Sequence, residues 1–160
     1  MDGRTFRQAM GKFATGITVL TTEMAGEIHG MTANAFMSVS LDPKLILISI
    51  DKKANMLSKI RASNMFAVNV LAEEQQQYSM IFAGQLKEHE KVSFARLNGL
   101  PVLQDALLTL ACQVYAEYEA GDHILFVGKV DELQMREGDP LLFYCGKYRS
   151  IKDWEEQLLV

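Results

Sequence analysis

The chain has 160 residues, of which 49% are hydrophobic and 22% are charged, and its formal net charge is −4. This composition is typical of a soluble globular protein with a sizeable core and excludes a disordered chain. An acidic balance without blocks of like charge excludes the basic surface of a nucleic-acid-binding protein. No apolar run approaches the roughly 18 residues that cross a bilayer, and the N-terminus lacks a signal-peptide pattern, so we expect no membrane association and a cytoplasmic location.

The first half of the chain predicts short helices and strands in turn. Phe6, Met10 and Phe13 have the spacing of one helical face, and Gly16 ends this pattern. Strands are expected at residues 17–22, 28–32, 36–40, 45–50 and 65–71, and helices at residues 55–62 and 73–82. The strand at residues 45–50 is almost entirely apolar, which predicts burial on nearly both faces.

The second half begins with a long segment without clear periodicity. Residues 86–106 contain Gly99 and Pro101 and are expected to be largely irregular. Strands are then expected at residues 108–119, at residues 123–130 continuing toward 135, and at residues 141–145. A C-terminal helix is expected at residues 153–159.

Cysteine and histidine residues do not form a metal-binding pattern. Cys112 and Cys145 are far apart, and each lies in an apolar segment, which predicts buried free thiols. His29, His89 and His123 are also widely spaced. We therefore expect no metal site.

The order of the predicted elements favours a mainly β (α+β) protein. About seven strands follow one another in hairpin-like order, with short helices inserted, which predicts an antiparallel β-barrel rather than a parallel βαβ sheet. We expect a single domain over residues 1–160. Because several strands are apolar on both faces, a second copy of the chain is expected to cover part of the barrel as a homodimer.

The stretch from residue 29 to residue 53 contains the strongest candidate for a binding site. Its first part, His29-Gly30-Met31-Thr32-Ala33-Asn34-Ala35, is small and polar, so another molecule can approach the main chain and bond its N–H and C=O groups. Lys52 and Lys53 follow the apolar strand and suit a phosphate. An ordinary turn and two solvated lysines explain the same pattern, and these residues alone leave both interpretations open.

Motifs of hydrolytic chemistry are absent from the sequence. There is no G-x-S-x-G, H-E-x-x-H, P-loop or G-x-G-x-x-G pattern. Asp122 and His123 are the one adjacent acid–histidine pair, and they fit either an exposed turn or a histidine that faces a ligand. Lack of acid–base machinery favours chemistry that a cofactor supplies, such as hydride transfer.

Several motifs together carry a family resemblance. They are Phe6-Arg7, Phe13-Ala14-Thr15-Gly16-Ile17-Thr18-Val19, His29 to Phe36, Ser38-Val39-Ser40, Phe82-Ala83-Gly84-Gln85, Gly99-Leu100-Pro101, Gly121-Asp122-His123 and Tyr148. In this order and spacing they make the chain resemble the short-chain flavin reductases, the small components of two-component flavin-dependent monooxygenases. The resemblance is greatest to the reductases of phenol and 4-hydroxyphenylacetate hydroxylases, and it spans most of the chain.

The resemblance implies a homodimeric FMN-binding split β-barrel that uses NADH, or possibly NADPH, to reduce FAD or FMN. The reduced flavin then passes to a separate oxygenase component. His123 is implied as the catalytic residue, in the sense that it orients the nicotinamide or the flavin. The implied cofactor-binding residues are Thr32, Ala33, Asn34, Ala35, Ser38, Ser40, Ser49, Asp51, Lys53, Asn55, Phe82, Ala83, Gly84, His123 and Tyr148.

The sequence departs from the family pattern after Lys53. Many relatives have hydroxyl side chains at alternate positions there, whereas this chain has Asn55 and Met56. The sequence therefore predicts that this chain contacts the flavin phosphate differently from those relatives, or that Lys52 shares in the contact. Alternatives to a flavin reductase are an oxidoreductase with a bound flavin, a pyridoxine-phosphate oxidase, and a non-catalytic flavin- or haem-binding protein of similar barrel type.

Overall fold

A computed structural model describes residues 1–152, apart from the side chain of Glu90. In these residues there are three α-helices: α1 (Gly3–Met10), α2 (Asn55–Ser63) and α3 (Gln76–Phe82). The strands are β1 (Thr15–Gly16), β2 (Thr18–Met24), β3 (Glu27–Ala33), β4 (Phe36–Leu41), β5 (Lys44–Asp51), β6 (Met65–Val70), β7 (Phe94–Leu97), β8 (Leu100–Leu103), β9 (Leu108–Ala120), β10 (His123–Met135), β11 (Leu142–Tyr144) and β12 (Lys147–Arg149). None of these helices is long and apolar enough to cross a membrane. The helix predicted at residues 153–159 lies outside the described residues.

Seven antiparallel strands form the main sheet, in the spatial order β3-β2-β6-β9-β10-β5-β4. Its two edge strands, β3 and β4, are consecutive in the chain, and only Asn34 and Ala35 lie between them. They do not pair with each other, so the sheet is open where the chain passes from one edge to the other. The prediction of a mainly β, antiparallel architecture is confirmed. The seven-stranded sheet is not a simple series of hairpins, because β2 pairs with β6 and β5 pairs with β10.

The main core lies on one face of the sheet and beneath α2. Its fully buried side chains include Leu20, Ile48, Phe66 and Phe126. The predicted burial of the strand at residues 45–50 holds for one face only. In β5, Ile46, Ile48 and Ile50 are buried, whereas the alternate residues are half-buried. That second face is consequently available to line a cleft.

Four sequence-based expectations require correction. Residues 86–106 contain a 3₁₀ turn and the hairpin of β7 and β8, because the segment 94–103 has enough apolar residues to pack on the sheet. Helix α1 ends at Met10, so Phe13 lies beyond it. Strand β12 follows the last predicted strand. Both cysteines are free, but only Cys112 is buried, since Cys145 lies in the exposed turn between β11 and β12.

Candidate active site

The corner between β3 and β4 exposes main chain and small side chains. Asn34 and Ala35 are exposed, while Thr32 and Ala33 are half-buried. The corner is held from behind, because Ser49 donates its N–H to the Ala35 carbonyl at 3.2 Å and the Thr32 hydroxyl donates to the Ser79 carbonyl at 2.7 Å. The Asn34 side chain has no hydrogen-bond partner within residues 1–152. The predicted accessibility is therefore confirmed at Asn34 and Ala35, whereas residues 29–33 are half-buried.

A cleft of about 1140 Å³ lies in front of this corner. Its walls come from α1, β1, β4, β5 and β11, and they include Thr15, Asn34, Ala35, Leu47 and Phe143. The Thr15 hydroxyl is buried and has no hydrogen-bond partner in the described part of the chain. Buried polar atoms are nearly always paired, so an unpaired one in a cleft lining suits a polar ligand atom. A large, mainly apolar cleft with a few polar groups is the usual form of a cofactor site.

The three predicted serines lie on two neighbouring strands. Ser38 is exposed and Ser40 half-buried in β4, and the pairing of β4 with β5 shifts register between them. Ser49 lies in β5 and is half-buried. Of these three serines, only Ser49 forms a hydrogen bond to the corner in the described structure.

The end of β5 forms a cationic cleft of about 610 Å³ beside α2. Lys52 and Arg61 line it but are paired with Glu119 at 3.2 Å and Glu117 at 2.9 Å. Lys53 also lines it and forms no salt bridge with any described residue. The Asp51 carboxylate accepts the Lys53 backbone N–H at 2.8 Å, so Asp51 shapes this turn directly.

The start of α2 explains the departure from the family pattern. Met56 is only 4% exposed and packs in the main core, so its side chain faces away from the cleft. Asn55 is exposed and is the first residue of α2, and no side chain caps this helix. The uncapped N–H groups of a helix N-terminus favour anions. Position 56 therefore offers no group to an anion in this cleft, whereas Lys53, Asn55 and Ser58 line it.

Asp122 and His123 form a hydrogen-bonded pair at the turn between β9 and β10. The Asp122 Oδ1 and His123 Nδ1 atoms are 2.7 Å apart, and the His123 hydrogen bond lowers the pKa of the Asp122 carboxyl. An ionised Asp122 accepts the proton on Nδ1 and leaves Nε2 free to face a ligand. His123 pairs with Asp51 across the sheet, which brings it to the end of β5. The sequence motif contained Asp122 but gave it no role, and its orienting contact is visible only in the structure.

Phe82 lies at the end of α3, against the edge strand β3, and does not line the large cleft. Its ring lies against Gly30 of β3 so closely that a Cβ atom on Gly30 would be 2.4 Å from two ring carbons. The Phe82 ring also packs edge-on against His89 and Phe94, with centroid separations of 5.9 and 6.3 Å. Ala83 and Gly84 follow and are exposed. Phe82 therefore lies beside Gly30 of β3, which precedes Asn34 of the corner by four residues.

Tyr148 has internal partners rather than a free hydroxyl. Its OH lies 3.0 Å from the Ser79 Oγ, and its ring packs edge-on against Phe143. Ser79 in turn accepts the Thr32 hydroxyl through its carbonyl. No hydrogen bond or aromatic contact in residues 1–152 joins Tyr148 to His123. Tyr148 thus reaches the predicted site through Ser79 and Thr32, which sequence reasoning had not linked.

Comparison with known proteins agrees with this arrangement. Residues 10–152 match the family model described as flavin reductase like domain. An NADH-dependent flavin reductase from Rhodococcus sp is 47% identical over 91% of this chain and 85% of its own length. The reductase component of 4-hydroxyphenylacetate 3-monooxygenase from Thermus thermophilus is 37% identical over 91% of this chain and 95% of its own length.

Solved structures are similar to this chain in fold as well as in sequence. Flavin reductase PheA2 superposes with a TM-score of 0.93 and 57% identity, covering 96% of this chain and 100% of that structure. The NADH:FAD oxidoreductase SgcE6 of Streptomyces globisporus, in complex with NAD and FAD fragments, superposes with a TM-score of 0.89 and 35% identity, over 94% and 93% of the two chains. The expected split β-barrel is confirmed by these neighbours. The chain belongs to the flavin reductase-like family.

Proposed function

We propose that this chain is an NADH-dependent flavin reductase that transfers hydride from NADH to FAD or FMN. The observation that carries the proposal is the exposed β3–β4 corner, whose main chain and Asn34 amide face a large cleft. Relatives that cover almost the whole chain are named NADH-dependent flavin reductases, which supports the same activity. The whole chain, residues 1–160, acts as one domain.

The residues around the corner fit a flavin. Thr32, Ala33, Asn34 and Ala35 offer small side chains and hydrogen-bonding groups, and Ser38, Ser40 and Ser49 add hydroxyl groups along β4 and β5. Asp51 holds the turn that presents Lys53, and Lys53 with Asn55 offers donors to the flavin phosphate. Phe82, Ala83 and Gly84 cover the side near β3. The bound flavin supplies the ring that accepts the hydride, and the chain supplies position and electrostatics.

His123 orients the reacting partners in this proposal. Asp122 fixes the Nδ1 proton, so the Nε2 atom keeps one defined role toward a ligand. Tyr148 acts as a positioning residue, because its hydroxyl contacts Ser79, whose carbonyl fixes Thr32. No side chain is required as a nucleophile, which agrees with the lack of hydrolytic motifs.

A second copy of the chain is expected against the same face. Phe13 and Met37 line the large cleft yet are 79% and 56% exposed, and Leu41 at the end of β4 is 90% exposed. Apolar patches of this kind mark interfaces between proteins. We infer a homodimer in the cytoplasm that passes reduced flavin to a separate oxygenase component. Two relatives are named as the reductase component and the reductase subunit of monooxygenases, which supports a partner of this kind.

The decisive experiment follows NADH oxidation by the purified chain with added FAD, added FMN and no flavin. We expect oxidation that depends on flavin and that stays slower with NADPH. The matched variants are Asn34→Ala at the corner and Lys44→Gln at an exposed position of β5 outside it. Tight flavin binding with no flavin-dependent oxidation of NADH or NADPH would instead support a non-catalytic flavin-binding protein.

A further inference from the structure

The carbonyl groups of the β3–β4 corner are all used within the protein. The Ala33 carbonyl accepts the Thr18 hydroxyl at 2.6 Å, and the Ala35 carbonyl accepts the Ser49 N–H at 3.2 Å. The Asn34 carbonyl accepts the backbone N–H two residues further along the chain at 3.0 Å. Each of these three carbonyls is therefore directed at a donor of the protein.

The backbone N–H groups of the corner are in the opposite situation. Those of Asn34 and Ala35 donate to no group in residues 1–152. Both residues are exposed, and both line the large cleft. Backbone N–H groups are strong donors that are nearly always paired, with protein, water or ligand. A ligand that meets this backbone is therefore expected to bring hydrogen-bond acceptors.

Thr18 determines which way the first peptide group of the corner points. Thr18 is only 3% exposed, and it pairs with Ala33 across β2 and β3. The Ala33–Asn34 peptide is trans and planar, so its N–H points opposite to its carbonyl. Because the Ala33 carbonyl points to the Thr18 hydroxyl, the Asn34 N–H points away from Thr18. Loss of this hydroxyl would remove the contact that holds the peptide in this orientation.

Two free donors side by side suit an acceptor that carries negative charge. A hydrogen bond to an ionised acceptor is roughly twice as strong as one to a neutral acceptor. In the proposed reaction, a hydride leaves the nicotinamide C4 with the electron pair of its C–H bond and forms an N–H bond on the flavin ring. The nicotinamide is thereby oxidised to a cation, and the reduced ring carries the added negative charge. Donors fixed beside the ring are worth more once this charge has developed.

We propose that Thr18 is a positioning residue for hydride transfer, because its hydroxyl turns the Ala33–Asn34 peptide so that the corner offers N–H donors to the developing charge. This inference rests on the proposed function. Thr18 was not among the predicted site residues, and it acts through the peptide group that it holds. Another buried threonine of β2, Thr21, uses its hydroxyl elsewhere and donates to the Pro101 carbonyl at 2.6 Å.

The test compares Thr18→Val with the matched control Thr21→Val. Valine keeps the β-branched shape of threonine but lacks the hydroxyl, so each variant loses a buried hydrogen bond of the same length. Isothermal titration calorimetry, anaerobic for the reduced form, measures the Kd for oxidised and for reduced FMN. In Thr18→Val we expect the Kd for reduced FMN to rise about tenfold and that for oxidised FMN about threefold, since a neutral acceptor loses less. The kcat for NADH oxidation should fall, with little change in the KM for NADH.

Two further variants separate position from stability. Thr18→Ser restores the hydroxyl and should return both Kd values to near those of the wild type. Thr21→Val should lower the thermal stability at least as much as Thr18→Val does, because the Thr21 hydroxyl also accepts the Asn69 amide at 3.1 Å. Its Kd values for both forms of FMN should nevertheless stay unchanged.

Three outcomes would overturn the inference. Equal rises of the Kd for oxidised and reduced FMN in Thr18→Val would exclude the role of charge. Unchanged Kd values in Thr18→Val, or equal effects of Thr21→Val, would show that the Thr18 hydroxyl serves stability alone. Failure of the proposed function is separately visible, because the wild-type chain would then bind no flavin or would not oxidise NADH with it.

Discussion

The centre of the main sheet and its edge can be compared at two strand glycines, each of which lies against a phenylalanine ring. Gly128 of β10 is central, and a Cβ atom there would be 2.6 Å from Phe66, a fully buried ring. Gly30 of β3 is at the edge, and a Cβ atom there would be 2.4 Å from Phe82, a half-buried ring. The close approach is the same, but Phe82 borders a cleft of about 310 Å³ between β3, α2 and α3, whereas Phe66 lies within the main core.

Polar groups show the same contrast. The Asn69 amide in the centre is fully buried, donates to the Val19 carbonyl at 2.8 Å, and accepts the Leu103 N–H at 2.7 Å. The Asn34 amide at the edge is exposed and has no partner in the described chain. The centre uses its chemical groups for stability, whereas the edge leaves them available for a ligand. Substitutions in matched pairs should therefore separate the two roles.

The largest effect on stability is expected from the aromatic pair. Phe66→Ala removes a fully buried ring and should lower the free energy of unfolding by about 3–5 kcal/mol. Phe82→Ala should cost about 1–2 kcal/mol, because less apolar surface is lost, yet it should weaken flavin binding severalfold. Urea denaturation and flavin fluorescence measure the two quantities. Equal losses of stability would contradict the distinction between centre and edge.

The next largest effects on stability are expected from the two glycines, Gly128 and Gly30. Gly128→Ala forces a methyl group against Phe66 and Cys112 and should lower the free energy of unfolding by about 1–3 kcal/mol. Gly30→Ala displaces Phe82, whose ring is partly free to move, so flavin affinity should fall more clearly than stability. The measurements are thermal unfolding and flavin titration on both variants. A Gly30→Ala variant with unchanged flavin affinity would show that Phe82 does not shape the site.

The asparagine pair tests the polar groups. Asn69→Leu leaves the Leu103 N–H and the Val19 carbonyl without this partner, which should cost about 1–3 kcal/mol of stability. Asn34→Ala should change stability by less than about 0.5 kcal/mol, as expected for an exposed position. Its Kd for flavin should nevertheless rise. Normal flavin binding by Asn34→Ala would remove this side chain from the site.

The smallest effect is expected at the exposed Asp122–His123 pair. The hydrogen bond with His123 lowers the pKa of Asp122 from its ordinary value of 3.8. The Asp122 carboxylate is therefore ionised and hydrogen-bonded to His123 at neutral pH, and this interaction is lost only as the pH falls through the lowered pKa. Asp122→Asn keeps the shape but loses the charge, and it should reduce kcat severalfold with little change in stability. The test is the pH profile of kcat for both proteins between neutral and acidic pH. An unchanged kcat would mean that His123 needs no fixed orientation.

Sequence patterns predicted most of the fold, and their errors have physical causes. The strands at residues 17–22 and 65–71 were found within a few residues, because β-branched and apolar runs report local burial. The hairpin of β7 and β8 was missed, since residues 86–106 lack clear alternation and fold by packing on the sheet. Cys145 was expected to be buried because it follows an apolar run, but the turn after β11 exposes it.

The proposed site could be inferred from the sequence only in part. Residues 32–35 and Lys53 could be selected from small side chains, from charge and from the family resemblance. The contact of Ser79 with Thr32 was not predicted, since it depends on how α3 meets β3.

The sequence by itself determined the class of fold, the accessible corner and the family, because these depend on local composition and on motifs in fixed order. Only the tertiary structure decided which polar groups remain without a partner. The hydrogen bond from Asn69 to Val19, for example, joins residues far apart in the chain. Asn55 likewise borders a cleft whose other residues include parts of β3 and α3, which are distant in the chain. Satisfaction of a polar group depends on every neighbour in space, which no local pattern records.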